Sequence, residues 1–220
     1  MNDAVPVIAI DGPTASGKGT VAQAVAARLG YHYLDSGALY RLVGLAAVRK
    51  GIDLQDAAGL AALAASLDVR FDGDRIILGG ADASDAIRTE EAGQNASRVA
   101  AVPAVRAALL RRQQAFRQPP GLVADGRDMG SVIFPDAKPK FFLTASVEAR
   151  AERRVNQLKQ KGNSAILADV LKELTQRDER DMNRPVAPLK CLPDAYLIDT
   201  TELSAAQAVE RILDCVAKIR

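Results

Sequence analysis

The chain has 220 residues, with 29 Lys+Arg against 27 Asp+Glu, one His, two Cys and no Trp. A chain of this length buries roughly 70% of its unfolded surface, so one domain, or one domain with an inserted lobe, needs no staples to stay folded. A net charge of +2 argues against a chain-wide basic field for nucleic acid or an acidic lipid surface, leaving only local patches. Of the basic residues 20 are Arg and nine Lys. That excess suits the gripping of phosphate or carboxylate, although codon bias produces it equally well.

Cys191 and Cys215 have neither metal-ligand nor disulfide spacing and are expected as packing residues in a reducing cytosol. No run approaches 18 apolar residues, and Met1-Asn2-Asp3 lacks a basic leader. A soluble, cytoplasmic, monomeric protein with no membrane or nucleic-acid partner is expected.

Val5 to Ile10 is an apolar, β-branched run that reads as a buried parallel strand, followed at once by a loop of small residues. From Lys18, residues Ala22, Val25, Ala26 and Leu29 recur at i, i+3, i+4 and i+7 with Gly30 placed as a cap, which predicts an amphipathic helix. Tyr31 to Leu34 is a second strand. Residues 37 to 66 read as helical, with Tyr40, Val43, Gly44 and Ala47 in register. The period then changes: Val69 to Phe71 and Arg75 to Leu78 flank the turn signal Asp72-Gly73-Asp74, and Gly79-Gly80 precedes Ala81 to Ile87. This predicts a small inserted antiparallel sheet.

Helical patterns return at Glu90 to Ala100 and Ala104 to Phe116, with Pro103 suited to a first turn. Leu122 to Ala124 and Lys140 to Leu143 read as strands. Helices are expected from about Ser146 to Gln160 and Ser164 to Met182, separated by Lys161-Gly162-Asn163. Tyr196 to Ile198 is the last strand, and Ser204-x-x-Gln207 is a capping box opening a final helix whose Val209, Ile212, Leu213 and Val216 share a face. The fold class is α/β, with about five parallel strands flanked by helices and a small β insert.

Gly12-Pro13-Thr14-Ala15-Ser16-Gly17-Lys18-Gly19-Thr20 satisfies G-x4-G-K between a predicted strand and helix, the context of a P-loop. Its backbone N–H groups and the helix terminus behind them make a nest for a di- or triphosphate, which Lys18 reaches as well. Gly19 stands where G-K-[ST] has a hydroxyl, leaving Thr20 as the nearer candidate for Mg²⁺ or the β-phosphate. No guanine-reading N-K-x-D occurs, and Asp56-Ala-Ala-Gly59 lies in a helical stretch. Asp125 ends a short apolar strand and is the candidate for holding Mg²⁺, through water, against the plainer reading of a strand-end turn residue.

Four polar sets follow. Ser36 begins a helix after a strand, and Arg127 and Asp128 follow the next strand. Arg150, Arg153 and Arg154 share one helix face; Arg177, Arg180, Asp181 and Arg184 share another. Alone, the last two sets also read as solvated surfaces paired with Glu148, Glu152, Asp178 and Glu179. Beside a P-loop they suit phosphoryl transfer between nucleotides, which gathers phosphate charges that cations must hold. The sole histidine, His32, reads as packing, and no histidine base is required, because a nucleoside monophosphate is already anionic at pH 7.

The motifs Ile10-Asp-Gly-Pro-Thr-Ala-Ser-Gly-Lys-Gly-Thr20, Leu34-Asp-Ser-Gly-Ala-Leu-Tyr-Arg41, Ile87-Arg-Thr89, Ala124-Asp-Gly-Arg-Asp-Met-Gly130 and Arg177-Asp-Glu-Arg-Asp-Met-Asn-Arg-Pro-Val-Ala-Pro-Leu189 together resemble the bacterial cytidylate kinases, nucleoside monophosphate kinases. The resemblance runs through nearly the whole length, with Thr14-Ala15-Ser16 where many relatives read Ser-Gly-Ala. It implies a P-loop core of 1–35, 99–149 and 184–220, an NMP-binding region at 36–98 carrying the small sheet, and a helical lid and arginine-bearing segment at 150–183. It also implies that ATP and Mg²⁺ serve as donor and cofactor for CMP or dCMP. By that resemblance Ser36, Arg41, Arg127 and Arg184 hold the acceptor phosphate, Arg177 and Asp181 the ribose, and Ser97, Arg106 and Asp128 read cytosine. Lys18, Arg150, Arg153 and Arg154 are the catalytic candidates. Two alternatives stay open: a kinase for UMP or another monophosphate, and a regulatory or RNA-associated P-loop ATP-binding protein.

Overall fold

A computed structural model describes residues 5–72, 75–160, 162 and 164–219. Met1-Asn2-Asp3, and Gly73, Asp74, Lys161 and Asn163 of the predicted connections, lie outside the described residues. In chain order the elements are β1 (Val7–Asp11), α1 (Lys18–Leu29), β2 (His32–Asp35), α2 (Ser36–Arg49), α3 (Ala57–Ala65), β3 (Val69–Asp72), β4 (Arg75–Leu78), β5 (Ala81–Asp82), α4 (Glu90–Ala100), α5 (Pro103–Gln114), β6 (Leu122–Gly126), β7 (Lys140–Thr144), α6 (Val147–Gln160), α7 (Leu167–Asn183), β8 (Ala195–Asp199) and α8 (Ala205–Ile219). They fall into two compact units, Met1–Leu34 with Phe116–Arg220, and Asp35–Ala115.

The larger sheet has strand order β2-β6-β1-β7-β8. β1 runs parallel to both β6 and β7, with Ile8 opposite Val123 and Ile10 opposite Phe141, and β7 runs parallel to β8. Every residue of β1 and β6 is buried, which is why their sequences are continuous apolar runs without alternation. One side of the sheet packs Ile8, Ile10, Val123, Phe141, Leu143 and Ile198 against Val21, Ala22 and Val25 of α1 and Val209, Ile212 and Val216 of α8. Each such aliphatic side chain contributes roughly 1.5–3 kcal/mol over an exposed one, so burial on both helices fixes β1 as the rigid centre. α1 ends at Gly30 in the left-handed region (φ 66°). α8 opens with the expected capping box: Gln207 N donates to Ser204 Oγ (3.2 Å) and Ser204 N to Gln207 Oε1 (2.9 Å).

The Asp35–Ala115 unit contains α2 to α5 and a three-stranded antiparallel sheet of order β3-β4-β5. Two expectations change here. The helical reading of 37–66 breaks between Arg49 and Ala57, where Asp53 Oδ1 accepts from Gln55 N (2.9 Å) and Asp56 Oδ1 caps α3 by accepting from Gly59 N (2.9 Å). These local side-chain bonds compete with a continuous helix, and they make Asp56-x-x-Gly59 a helix cap. The segment 81–87 is strand only at Ala81–Asp82, because Ser84 turns the chain: its N donates to Asp82 Oδ1 (2.8 Å), its Oγ accepts from Ile76 N (2.9 Å), and a 3₁₀ turn follows at Ala86–Arg88.

Other corrections concern single residues. His32 is exposed and bonds the Pro119 carbonyl through Nε2 (2.9 Å) instead of packing. Cys191 is exposed, while Cys215 lies against the α1/α8 core. Among the described residues no helix is long and apolar enough to cross a membrane.

Candidate nucleotide-binding site

β1 delivers the chain into the glycine-rich loop at the centre of the sheet. A Cβ on Gly12 would sit 2.0 Å from the Leu143 carbonyl oxygen, so only glycine lets the loop leave β1 so close to β7. Ala15 (φ 60°) and Gly17 (φ 85°) both take the left-handed conformation, which belongs to the loops whose successive N–H groups face one anion-binding concavity. At Ala15 the Cβ makes that conformation cost roughly 1–2 kcal/mol. α1 has no side-chain cap at its N-terminus, so its first amides remain part of the anion site. Lys18 is buried and donates from Nζ to the Pro13 carbonyl (3.1 Å), holding its charge across the loop.

The loop is framed by charged residues of the same unit. Arg127 donates from Nη2 to Thr14 Oγ1 (2.6 Å) and from Nε to Asp181 Oδ2 (2.8 Å). It therefore ties the phosphate loop to α7. Burial acts to raise the Asp181 pKa, but Arg127, Arg177 and Arg184 outweigh it and hold the carboxyl below the usual range. Arg184 Nη2 stands 3.6 Å from Asp128 Oδ1, both side chains buried, and Arg184 Nε donates to the Ala187 carbonyl (2.5 Å). Thus Arg127, Asp128, Arg177, Asp181 and Arg184 form one network. Arg180, placed with them by helix spacing, is exposed.

Arg150 and Arg153 do not present a solvated face. Arg150 is buried, paired with Asp178 (2.6 Å), and donates from Nη1 to the Thr14 carbonyl (3.1 Å) and from Nε to the Ala145 carbonyl (3.0 Å). Arg153 donates from Nη1 to Thr200 Oγ1 (3.1 Å) and also reaches the Thr200 and Thr201 carbonyls. Arg154 bonds Gln157 on its own helix.

Sequence reasoning missed Asp11. This buried strand-end carboxylate accepts from Met129 N (2.8 Å, Oδ1) and Gly130 N (2.9 Å, Oδ2), fixing the turn that follows Arg127 and Asp128. Burial pushes its pKa up to about 7; the two backbone bonds oppose that, and Asp128 and Asp125 add to it. The only signal was a charge closing an apolar strand. Thr200 was invisible, and Asp178, expected as a surface ion-pair partner, is instead the buried partner of Arg150, because these contacts join residues far apart in sequence.

Asp125 is buried at the end of β6, with Tyr33 Oη donating to its Oδ2 (3.3 Å). A Cβ at Gly19 would meet Asp125 Oδ2 at 3.2 Å, so G-K-G-T leaves open space beside this carboxylate. A hard oxygen donor with room around it fits Mg²⁺, which keeps waters and takes one or two carboxylates with substrate phosphates. Among the described residues no cluster of three or more His, Cys, Asp or Glu offers a cage for a metal. Thr20, the other candidate, is exposed in the first turn of α1.

Within Asp35–Ala115, Ser36 is buried at the start of α2, whose N-terminus Asp35 caps by accepting from Ala38 N (3.0 Å). Arg41 donates to the Ile87 (2.8 Å) and Thr89 (3.2 Å) carbonyls. Arg106 is buried on α5, donating to the Ala100 carbonyl (3.3 Å) with its guanidinium 5.7 Å from the centre of the Tyr40 ring. Ser97 is buried on α4, its hydroxyl without a hydrogen-bond partner among the described residues.

A central parallel strand running into a glycine-rich nest, a lysine across that nest, and arginine–carboxylate pairs beside it define a P-loop kinase. The cytidylate kinase family model matches residues 8–218. A cytidylate kinase from Bordetella pertussis is 59% identical, covering 96% of this chain and 95% of the relative. One from Chromobacterium violaceum is 60% identical over the same shares, 96% and 95%. An uncharacterized protein from Eubacterium ventriosum, 13% identical, shares the fold alone, with a TM-score of 0.50 over 97% of this chain and 99% of that one. The chain belongs to the cytidylate kinase family.

Proposed function

We propose that the protein transfers the γ-phosphoryl group of ATP to CMP, and also to dCMP, giving ADP and CDP or dCDP in pyrimidine nucleotide metabolism. The observation that carries this reading is Arg127, which joins Thr14 of the phosphate loop to Asp181 on α7. A donor loop and an arginine–carboxylate cluster of one unit are thereby a single hydrogen-bonded system, as transfer between two phosphorylated substrates requires.

The nest of residues 12–20 and Lys18 bind the ATP phosphates. Mg²⁺ would be held at Asp125, through water, with Thr20 as the further donor, and when bound it supplies neutralisation of the phosphate charge. Ser36, Arg41, Arg127 and Arg184 hold the acceptor phosphate, Arg177 and Asp181 the ribose hydroxyls, and Ser97, Arg106 and Asp128 the cytosine edge. Cytosine offers an N4 amino donor beside N3 and O2 acceptors, matching a carboxylate and an arginine, whereas uracil presents a carbonyl in place of the amino group. The acceptor phosphate is anionic at neutral pH and attacks without a base. Positioning and charge neutralisation are the whole task. In this reading 150–183 forms the lid, 36–98 the monophosphate-binding region and 1–35, 99–149 and 184–220 the core, in a cytoplasmic monomer.

The test is an acceptor screen: ADP release from ATP and Mg²⁺ with CMP, dCMP, UMP, AMP or GMP. Stimulation by CMP and dCMP well above the others is expected. Preference for UMP would move the protein to another acceptor, and no stimulation by any would leave a P-loop ATP-binding protein.

A further inference from the structure

Three carbonyls of the phosphate loop are each held by a different side chain. Lys18 takes Pro13, Arg150 takes Thr14 (3.1 Å), and Thr200 Oγ1 takes Ser16 (3.0 Å). Thr200 is only 3% exposed, lies just past β8, and is anchored on both sides: its N donates to the Thr144 carbonyl (2.8 Å), and its hydroxyl accepts from Arg153 Nη1 (3.1 Å) while its one proton is shared between the Ser16 and Thr144 carbonyls, each at 3.0 Å. Arg150 is anchored by its buried ion pair with Asp178 on α7. Ala15 of the same loop packs against the apolar cluster of Ala151, Val155, Val170 and Leu174 that joins α6 to α7.

A trans peptide is planar, with its C=O and N–H pointing in opposite directions. A carbonyl drawn out of the loop therefore turns the next residue's N–H into it. Holding Thr14 O on Arg150 aims Ala15 N–H into the nest; holding Ser16 O on Thr200 aims Gly17 N–H there. Ala15 and Gly17 are the two loop residues in the left-handed conformation (φ 60° and 85°), the orientation least favoured by the chain itself for alanine.

From this geometry we infer that Arg150, and Arg153 acting through Thr200, are positioning residues for the ATP-binding loop: they hold its peptide groups in the phosphate-binding orientation from behind. α6 would then control donor affinity as well as cover the nucleotide. The inference rests on the reading that this loop binds ATP.

The experiment uses the full chain and measures Mg²⁺–ATP binding directly by calorimetry, CMP binding separately, and then kcat and KM. Thr200→Val keeps shape and removes the hydroxyl; Thr200→Ser restores it. Thr200→Val should weaken ATP binding about tenfold, the scale of one lost hydrogen bond, with CMP binding unchanged, kcat at saturating ATP little changed, and recovery in Thr200→Ser. Arg150→Lys, which keeps a cation for Asp178, should raise the KM for ATP in the same way. In ¹⁵N spectra of the nucleotide-free protein the Ala15 and Gly17 amides should shift in both variants. The inference is overturned if Thr200→Val and Arg150→Lys bind ATP like the parent, or if they lose kcat with ATP binding intact, the mark of side chains that touch the transferred phosphoryl group. Failure of the parent itself to bind ATP would instead sink the kinase reading.

Discussion

Around the phosphate loop, charged side chains are bound to one another: Arg127 to Asp181, Arg184 to Asp128, and Arg150 to Asp178, with separations of 2.8, 3.6 and 2.6 Å. In the Asp35–Ala115 unit, Arg41 donates to the Ile87 carbonyl, Arg106 donates to the Ala100 carbonyl beside the Tyr40 ring, and Ser97 buries a hydroxyl without a hydrogen-bond partner among the described residues. The first arrangement is preorganised, its charges placed before any phosphate arrives. The second contains a polar group whose desolvation is offset only when a ligand supplies a partner. Substitutions in the first region should therefore propagate through the network, and that of Ser97 should act singly.

The largest expected effect is that of Arg184→Ala. It removes a cation assigned to the acceptor phosphate and leaves Asp128 buried without that cation, so kcat should fall roughly 10²–10³-fold, the loss typical of one transition-state donor. Calorimetry with ATP should still give nearly parental affinity. Unchanged turnover would reduce this end of α7 to a surface.

Next comes Asp128→Asn, which should erode the preference for CMP over UMP by about 1–3 kcal/mol, read as the ratio of kcat/KM values. Because Arg184 faces the same carboxylate, the double variant should lose less than the sum of the two single changes. Strict additivity would dissolve the network.

Ser97→Ala sharpens the contrast from the other side. The free protein should melt at the same or a slightly higher temperature, since an unsatisfied buried hydroxyl is removed, while CMP affinity falls by about 1 kcal/mol for a lost neutral hydrogen bond. A loss of stability with no change in CMP affinity would make Ser97 a core residue only.

A pH dependence of stability is expected at Asp11, whose carboxyl is pushed by burial to about 7 from 3.8. Between those values the folded state binds the proton and the unfolded state does not, so this group's contribution to stability is full below about pH 4 and declines as pH rises to about 7, by at most 1.36 kcal/mol per unit. Asp11→Asn cannot titrate. Thermal melts without nucleotide or Mg²⁺ should show the variant gaining on the parent from pH 5 to 7 and no further above. A constant gap would mean that Asp11 is ionised throughout.

The strands of the larger sheet, the phosphate loop, the capping box at Ser204 and the limits of α4 were legible in the sequence, because each is set by neighbours within a few residues. The break between Arg49 and Ala57 was not: alanine-rich sequence on both sides hid two aspartate-centred turns. The roles of Arg150 and Arg153 were half legible. Helix spacing placed them on one face, but whether that face met water, a phosphate or a loop carbonyl depended on Thr14, Asp178 and Thr200, brought there by the fold. Asp11 illustrates the same limit, since its partners Met129 and Gly130 lie in the turn beyond β6, the strand that pairs with β1.

The most direct test is to follow the label from ATP carrying ³²P in the γ position, with Mg²⁺ and CMP, and to identify the labelled product. The account predicts label transferred stoichiometrically to CDP, with almost no inorganic phosphate, and far less transferred to UMP at equal concentration. Label appearing only as inorganic phosphate, with CMP recovered unchanged, would contradict it.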